Sequence, residues 1–230
     1  MEHTVVCRNV SKVYRQNTVA VQALTEINLE VPRGDFACLC GPSGSGKSTL
    51  LNLIGGLDHP TTGEIEVDGS RVDTMERADL ARLRLHRIGF VFQAYNLIPV
   101  LTARENVEFV MQLQGVPIES RRAKALDILR EVGLDGLEDR RPGELSGGQQ
   151  QRVAVARAIV SEPALVLADE PTANLDSKTA ENLMQLLVHM NTEHNVTFVF
   201  STHDKLVMDF SRRLIKLHDG RIVEDERRRP

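Results

Sequence analysis

The chain has 230 residues, 41% of them hydrophobic and 26% charged, with a formal net charge of -4. That composition excludes a disordered chain and a disulfide-stapled mini-protein, and the charge argues against nucleic-acid binding through bulk positive potential. The length suits one domain, or one with an inserted subdomain.

Along the first third, TVVCRNV (4–10), INLEV (27–31), FACLC (36–40) and EIEVDG (64–69) are β-rich, with turn chemistry at Pro32-Arg33-Gly34 and Asp68-Gly69. No apolar run approaches the roughly 18–20 residues of a membrane span, and the N-terminus lacks the shape of a signal peptide, so a cytoplasmic chain is expected. The three cysteines, Cys7, Cys38 and Cys40, lie in strand-like runs without ligand-like spacing and read as buried thiols.

After FACLC comes Gly41-Pro-Ser-Gly-Ser-Gly-Lys-Ser48, which matches G-x-x-x-x-G-K-[ST] between a strand and a helix over KSTLLNLIGGL. A loop of this kind curls backbone N–H groups around an anion at a helix N-terminus, which marks Gly41, Ser43, Gly44, Ser45, Gly46, Lys47, Ser48 and Thr49 as nucleotide-binding candidates. Lys47 is placed to reach the terminal phosphates, and Ser48 to bind Mg²⁺. A flexible glycine turn is the alternative.

The run IGFVFQ (88–93) predicts a buried strand ending at Gln93. Helical texture follows. Thr102 and Glu105 form a capping box that opens a helix to about Gln114, and Ala125, Leu126, Leu129 and Val132 give residues 119–132 an apolar helical face. Leu145-Ser-Gly-Gly-Gln149 begins another helix through a Ser146/Gln149 capping box. Two first-turn glycines, Gly147 and Gly148, each cost a helix about 1 kcal/mol against alanine, which makes sense if a ligand approaches the backbone there. An ordinary cap with tolerated glycines is the alternative.

Strand runs return at LVLA (165–168), VTFVFS (196–201) and LIKLH (214–218), with a helix over roughly 177–192 between the first two. The first ends in Asp169-Glu170-Pro171, which puts carboxylates at the carboxyl edge of a parallel sheet, Asp169 for the Mg²⁺ shell and Glu170 for the attacking water. The expected fold is α/β: a P-loop NTPase core with a mainly parallel sheet, an N-terminal antiparallel β region and an inserted helical subdomain. One domain spans 1–230, with 1–93 and 161–230 as the core and 94–160 as the insert. The Arg-rich segments RLRLHR (82–87) and DERRRP (225–230) read as solvated faces.

The P-loop, LSGGQ and DE-terminated strand, in that order, resemble the ATP-binding cassette (ABC) ATPases along essentially the whole chain. The resemblance implies ATP hydrolysis with Mg²⁺, by two copies that clamp two nucleotides. Ser146, Gly147, Gly148 and Gln149 would then face the nucleotide held by the other copy's P-loop. It further implies that Tyr14 stacks on adenine, with strand-edge packing as the alternative. Gln93 would be the lid glutamine touching Mg²⁺ and water, Ala173-Asn-Leu-Asp176 the loop crossing the dimer interface, and His203 the residue contacting the γ-phosphate.

GPSGSGKSTLLNLIGGLDHPTTGEI and IGFVFQAYNLIPVLTARENV look like the lipoprotein-release and macrolide-efflux branch, which includes cell-division relatives. That implies a separate membrane permease and a chain peripheral on the inner face of the membrane. The docking segment would lie near residues 94–105, where Tyr95, Leu97, Ile98, Pro99 and Val100 form an apolar cluster beside Arg104 and Glu105. Packing of this cluster within the helical insert is the alternative. No nucleic-acid partner is expected. An ATP-gated switch acting on an envelope partner, and an importer ATPase, are the other functions the motifs allow.

Overall fold

Two long runs rich in β-branched and alternating residues open the chain and pair antiparallel, β1 (His3–Gln16) with β2 (Val19–Pro32). The structure, a computed structural model, describes residues 2–16 and 19–228. After β2 come β3 (Phe36–Cys40), α1 (Lys47–Ile54), β4 (Thr62–Val67), β5 (Ser70–Arg71), α2 (Arg77–Arg87), β6 (Ile88–Val91), α3 (Ala103–Leu113), α4 (Ile118–Glu131) and α5 (Gly147–Ile159). The chain continues with β7 (Leu165–Asp169), α6 (Ser177–His194), β8 (Thr197–Thr202), α7 (Lys205–Asp209), β9 (Arg213–His218) and β10 (Arg221–Arg227).

Two sheets result. One is antiparallel, in the order β2-β1-β4-β5; the other runs β10-β9-β3-β8-β7-β6, parallel except for β10. Alternate residues of the parallel strands face opposite layers, as the pleat requires. Phe36, Cys38, Phe198, Phe200 and Val166 join the core built with α3–α6, while Ala37, Leu39, Val199 and Leu167 join that built with α1, α2 and the antiparallel sheet. The buried Thr4 and Thr197 hydroxyls, 2.8 Å apart, link the two sheets.

The capping box opening α3 is present in both directions: Glu105 N–H donates to Thr102 Oγ1 at 3.2 Å, and Thr102 N–H donates to Glu105 Oε2 at 2.8 Å. All three cysteines are free and buried, and burial pushes the Cys7 thiol up to about 12. Among the described residues, no helix is long and apolar enough to cross a membrane.

Two local expectations shift. β6 ends at Val91, so Gln93 lies in the following turn. Residues 221–227, of which 225–227 were expected only as a solvated face, form β10 by pairing antiparallel with β9, and the Arg213 guanidinium holds Asp225 through Nε at 2.7 Å and Nη2 at 2.6 Å. The exposed reading still holds for Asp225, Glu226 and Arg227; Arg229 and Pro230 of DERRRP lie outside the described residues.

Candidate active site

β3 is buried along its whole length and ends where the P-loop begins. Two glycines are dictated by the path of the loop. Gly41 has φ +146°, and a Cβ there would stand 2.1 Å from the Leu217 carbonyl oxygen. Gly46 has φ +103°, and its Cβ would meet Leu24 and the Ala23 carbonyl oxygen at 2.7 and 2.8 Å. Gly44 differs: at φ +80° it faces open space.

Lys47 opens α1 and is buried, its ammonium donating to the Gly41 and Pro42 carbonyl oxygens at 2.9 and 3.0 Å. No side chain caps this helix start and no acidic residue lies in its first turn, so its N–H groups and positive dipole end remain available to an anion.

The carboxylates arrive from the neighbouring strands. β7 and β8 pair in register, Asp169 opposite Ser201. Asp169 Oδ1 accepts from Ser48 Oγ at 3.1 Å and from the Ser201 hydroxyl. Glu170 turns off the strand end with φ +47°, its N–H donating to the Ser201 carbonyl oxygen at 3.1 Å. Its carboxylate holds Thr202 Oγ1 at 3.3 Å and His203 Nδ1 at 2.7 Å. A cleft of about 620 Å³ gathers Ser43, Lys47, Ser48, Gln93, Glu170 and His203 in its lining.

Not every candidate lies there. Tyr14 is 40% exposed, donates from its hydroxyl to Asp58 Oδ2 at 2.9 Å and carries Lys12 Nζ 4.8 Å from its ring centroid. Its strand partner Val21 lines the cleft instead. Ser146, Gly147, Gly148 and Gln149 stand apart from the cleft lining. The Ser146/Gln149 capping box is formed, and the glycines have neighbours within the chain: a Cβ on Gly147 would lie 2.9 Å from Tyr95 Oη, and one on Gly148 2.5 Å from Thr179 Cγ2.

The segment 95–100 divides. Tyr95, Leu97 and Ile98 are half-buried, with Leu97 packed on the core, and of the apolar residues only Pro99 and Val100 are exposed, beside the exposed Asn96. Arg104 is held by Glu108 at 2.8 Å and Asp139 at 3.0 Å, and Glu105 by its cap, so neither is a free surface charge. Beside this segment, an apolar groove of about 590 Å³ is lined by Leu57, Phe90, Asn96, Val110, Leu113 and Arg157, among others.

Three contacts tie these parts together and were not expected from sequence. Gln151 Nε2 donates to the Pro171 carbonyl oxygen at 2.7 Å, Asn174 Nδ2 to the Gln93 carbonyl oxygen at 2.9 Å, and Arg157 to the carbonyl oxygens of Tyr95 and Asn96 at 2.9 and 2.5 Å. Gln151 left a signal: with Ala154, Val155 and Ala158 it occupies one buried helical stripe, where an amide needs a partner. Asn174 left none.

The donors suit Mg²⁺. A hydroxyl and a carboxylate oxygen 3.1 Å apart at the cleft edge are hard ligands, and among the described residues no group of three or more His, Cys, Asp or Glu could build a protein-only cage. Mg²⁺ takes few protein oxygens and completes its shell with water and phosphate.

The family profile described as ABC transporter matches residues 24–173. An uncharacterized ABC transporter ATP-binding protein of Methanocaldococcus jannaschii, MJ0796, is 46% identical over 96% of this chain and 96% of its own length. A macrolide export ATP-binding/permease protein, MacB 1/2 of Paracoccus denitrificans, is 43% identical over 96% of this chain, which spans 33% of that protein. Among solved structures, the dimeric post-hydrolysis state of the cassette MJ0796 bound to ADP and Pi superposes with a TM-score of 0.90 at 45% identity, covering 98% of this chain and 99% of that one.

Proposed function

This chain belongs to the ABC transporter family as an ATP-binding, ATP-hydrolysing domain, and we propose that it drives a separate membrane permease for lipoprotein release or for drug or peptide efflux. The observation that carries the site assignment is the convergence of Lys47, Ser48, Glu170 and His203 in one cleft. In this reading, Gly44 and the free N–H groups at the start of α1 receive the phosphates, and Lys47 leaves its two carbonyl partners for the β- and γ-phosphate oxygens. Ser48 and Asp169, with Gln93 nearby, would hold Mg²⁺, which when bound would neutralise charge on the phosphate oxygens.

Hydrolysis is in-line attack of water on the γ-phosphorus, breaking the bond to the β-phosphate oxygen. Glu170 orients the water and takes its proton. His203 Nδ1 bonds the same carboxylate, which leaves Nε2 to face the γ-phosphate. Val21 lines the edge of the cleft where the adenine would stack, with its strand partner Tyr14 beside it outside the lining.

Ser146–Gln149 serve the nucleotide of a second copy. Their separation from the chain's own cleft and the dimeric state of the MJ0796 cassette support this. The chain is one domain, residues 94–160 being the helical insert. The groove beside that insert receives the permease; in the MacB proteins the matching cassette is part of an ATP-binding/permease protein. The chain thereby sits peripherally on the cytoplasmic face of the membrane. Purifying the complex from membranes tests the transport reading. A co-purifying permease with a lipoprotein- or drug-handling extracytoplasmic domain supports it, and one that binds cell-wall hydrolases replaces it with an ATP-gated switch.

A further inference from the structure

Gln93 and the signature turn are separate in sequence and serve different nucleotides in the reading above, yet one side chain spans the distance between them. Tyr95 and Asn96 both have left-handed backbones, φ +58° and +49°, a pairing that non-glycine residues keep only when something holds it. The Arg157 guanidinium supplies that hold through both carbonyl oxygens. At its other end Tyr95 abuts Gly147: a Cβ on that glycine would lie 2.9 Å from Oη but 3.8 Å from Cζ, and the next neighbour, Leu175 Cδ2, is at 3.9 Å.

Gly147 and Arg157 belong to the same helix, α5, and lie about 15 Å apart along its axis. Tyr95 is therefore braced against α5 at two places, by its backbone three turns in and by its hydroxyl at the first residue. Asn96 and Arg157 also line the apolar groove. A displacement in the groove cannot move this loop without moving the brace.

We infer that Tyr95 is a positioning residue that links the groove to the signature turn, its hydroxyl setting where Gly147 sits. The inference rests on the proposed docking and dimer roles. It gives Gly147 a reason independent of any ligand: the first signature glycine is small because Tyr95 occupies the space of its side chain.

The test is a suppressor experiment, read by ATPase kinetics and by ATP-dependent dimerisation in a Glu170→Gln background. Gly147→Ala puts a Cβ 2.9 Å from Tyr95 Oη, so that Tyr95, whose backbone Arg157 holds, or the first turn of α5 must shift, and it is expected to lower kcat about tenfold and reduce dimer formation. Tyr95→Phe removes Oη alone, so Gly147→Ala/Tyr95→Phe meets only the ordinary 3.8 Å contact and recovers most of the loss. If Gly147→Ala fails to fold, recovery of folding by the double variant is the same result. A double variant as impaired as Gly147→Ala overturns the inference, because the glycine is then required by the nucleotide.

Transmission is read separately by amide exchange. Arg157→Gln, which frees the loop carbonyls, is expected to speed exchange at residues 146–150 as well as 93–98. Acceleration confined to 93–98 overturns the linkage. Dimerisation of Glu170→Gln with ATP tests the underlying functional reading by itself, so failure of that reading is distinguishable from failure of the linkage.

Discussion

Gln151 Nε2 donates at 2.7 Å to the carbonyl oxygen of Pro171, inside the protein, joining the helix that opens with the signature to the turn that carries Glu170. Pro171 itself is buried, so its carbonyl has no route to water. Replacing Gln151 with leucine keeps the volume and orphans that acceptor, at a cost of about 1–3 kcal/mol. Urea unfolding checks the stability, and kcat should fall with it as the Glu170 turn loosens.

The P-loop glycines separate into two kinds. Gly41→Ala combines positive φ with a collision against the Leu217 carbonyl and is expected to cost about 2–4 kcal/mol of folding stability. Gly44→Ala has open space and incurs only backbone strain, about 1–2 kcal/mol. Its main effect falls on ATP affinity, because a methyl there faces the phosphates. Thermal unfolding beside nucleotide titration separates the two.

Glu170→Gln retains the shape of the site but removes the base. Phosphate release is expected to drop about 100- to 10,000-fold while ATP still binds, and dimer should accumulate in gel filtration with ATP. A variant hydrolysing at the normal rate would show that Glu170 is not the base.

Asp176 caps α6, accepting from the Lys178 and Thr179 N–H groups at 3.1 Å and from Thr179 Oγ1 at 2.6 Å. The Thr179 hydroxyl and these N–H groups hold its carboxyl below the usual carboxylate range. A depressed folded value means the cap stabilises above the unfolded value near 4, and the contribution is lost as pH falls through the folded one. Asp176→Ala should therefore melt below the wild type at pH 7, and the difference should close under about pH 4.

Leu113 is 58% exposed on the groove wall. Leu113→Asp should alter folding stability by less than about 0.5 kcal/mol, as surface changes usually do, yet sharply reduce co-purification with the permease. Arg104 is the poorer probe, because reversing its charge also breaks its pairs with Glu108 and Asp139.

Much of this protein is determined by local chemistry. A strand that is apolar on both faces followed by a glycine-rich loop, a carboxylate ending a buried strand, and S-x-x-Q or T-x-x-E before an apolar stripe each specify a short structure, because their hydrogen bonds close within a few residues. The P-loop, the Asp169-Glu170 edge and the three central helices were therefore readable in order. Tertiary structure decided what depends on neighbours far along the chain. Pairing with β9, with Asp225 held by Arg213, made the tail a strand, Tyr95 and Thr179 filled the space beside the signature glycines, and Arg157 fixed the loop that follows Gln93. A motif states which groups a segment offers, but the contact that occupies them is set by packing, which no single segment encodes.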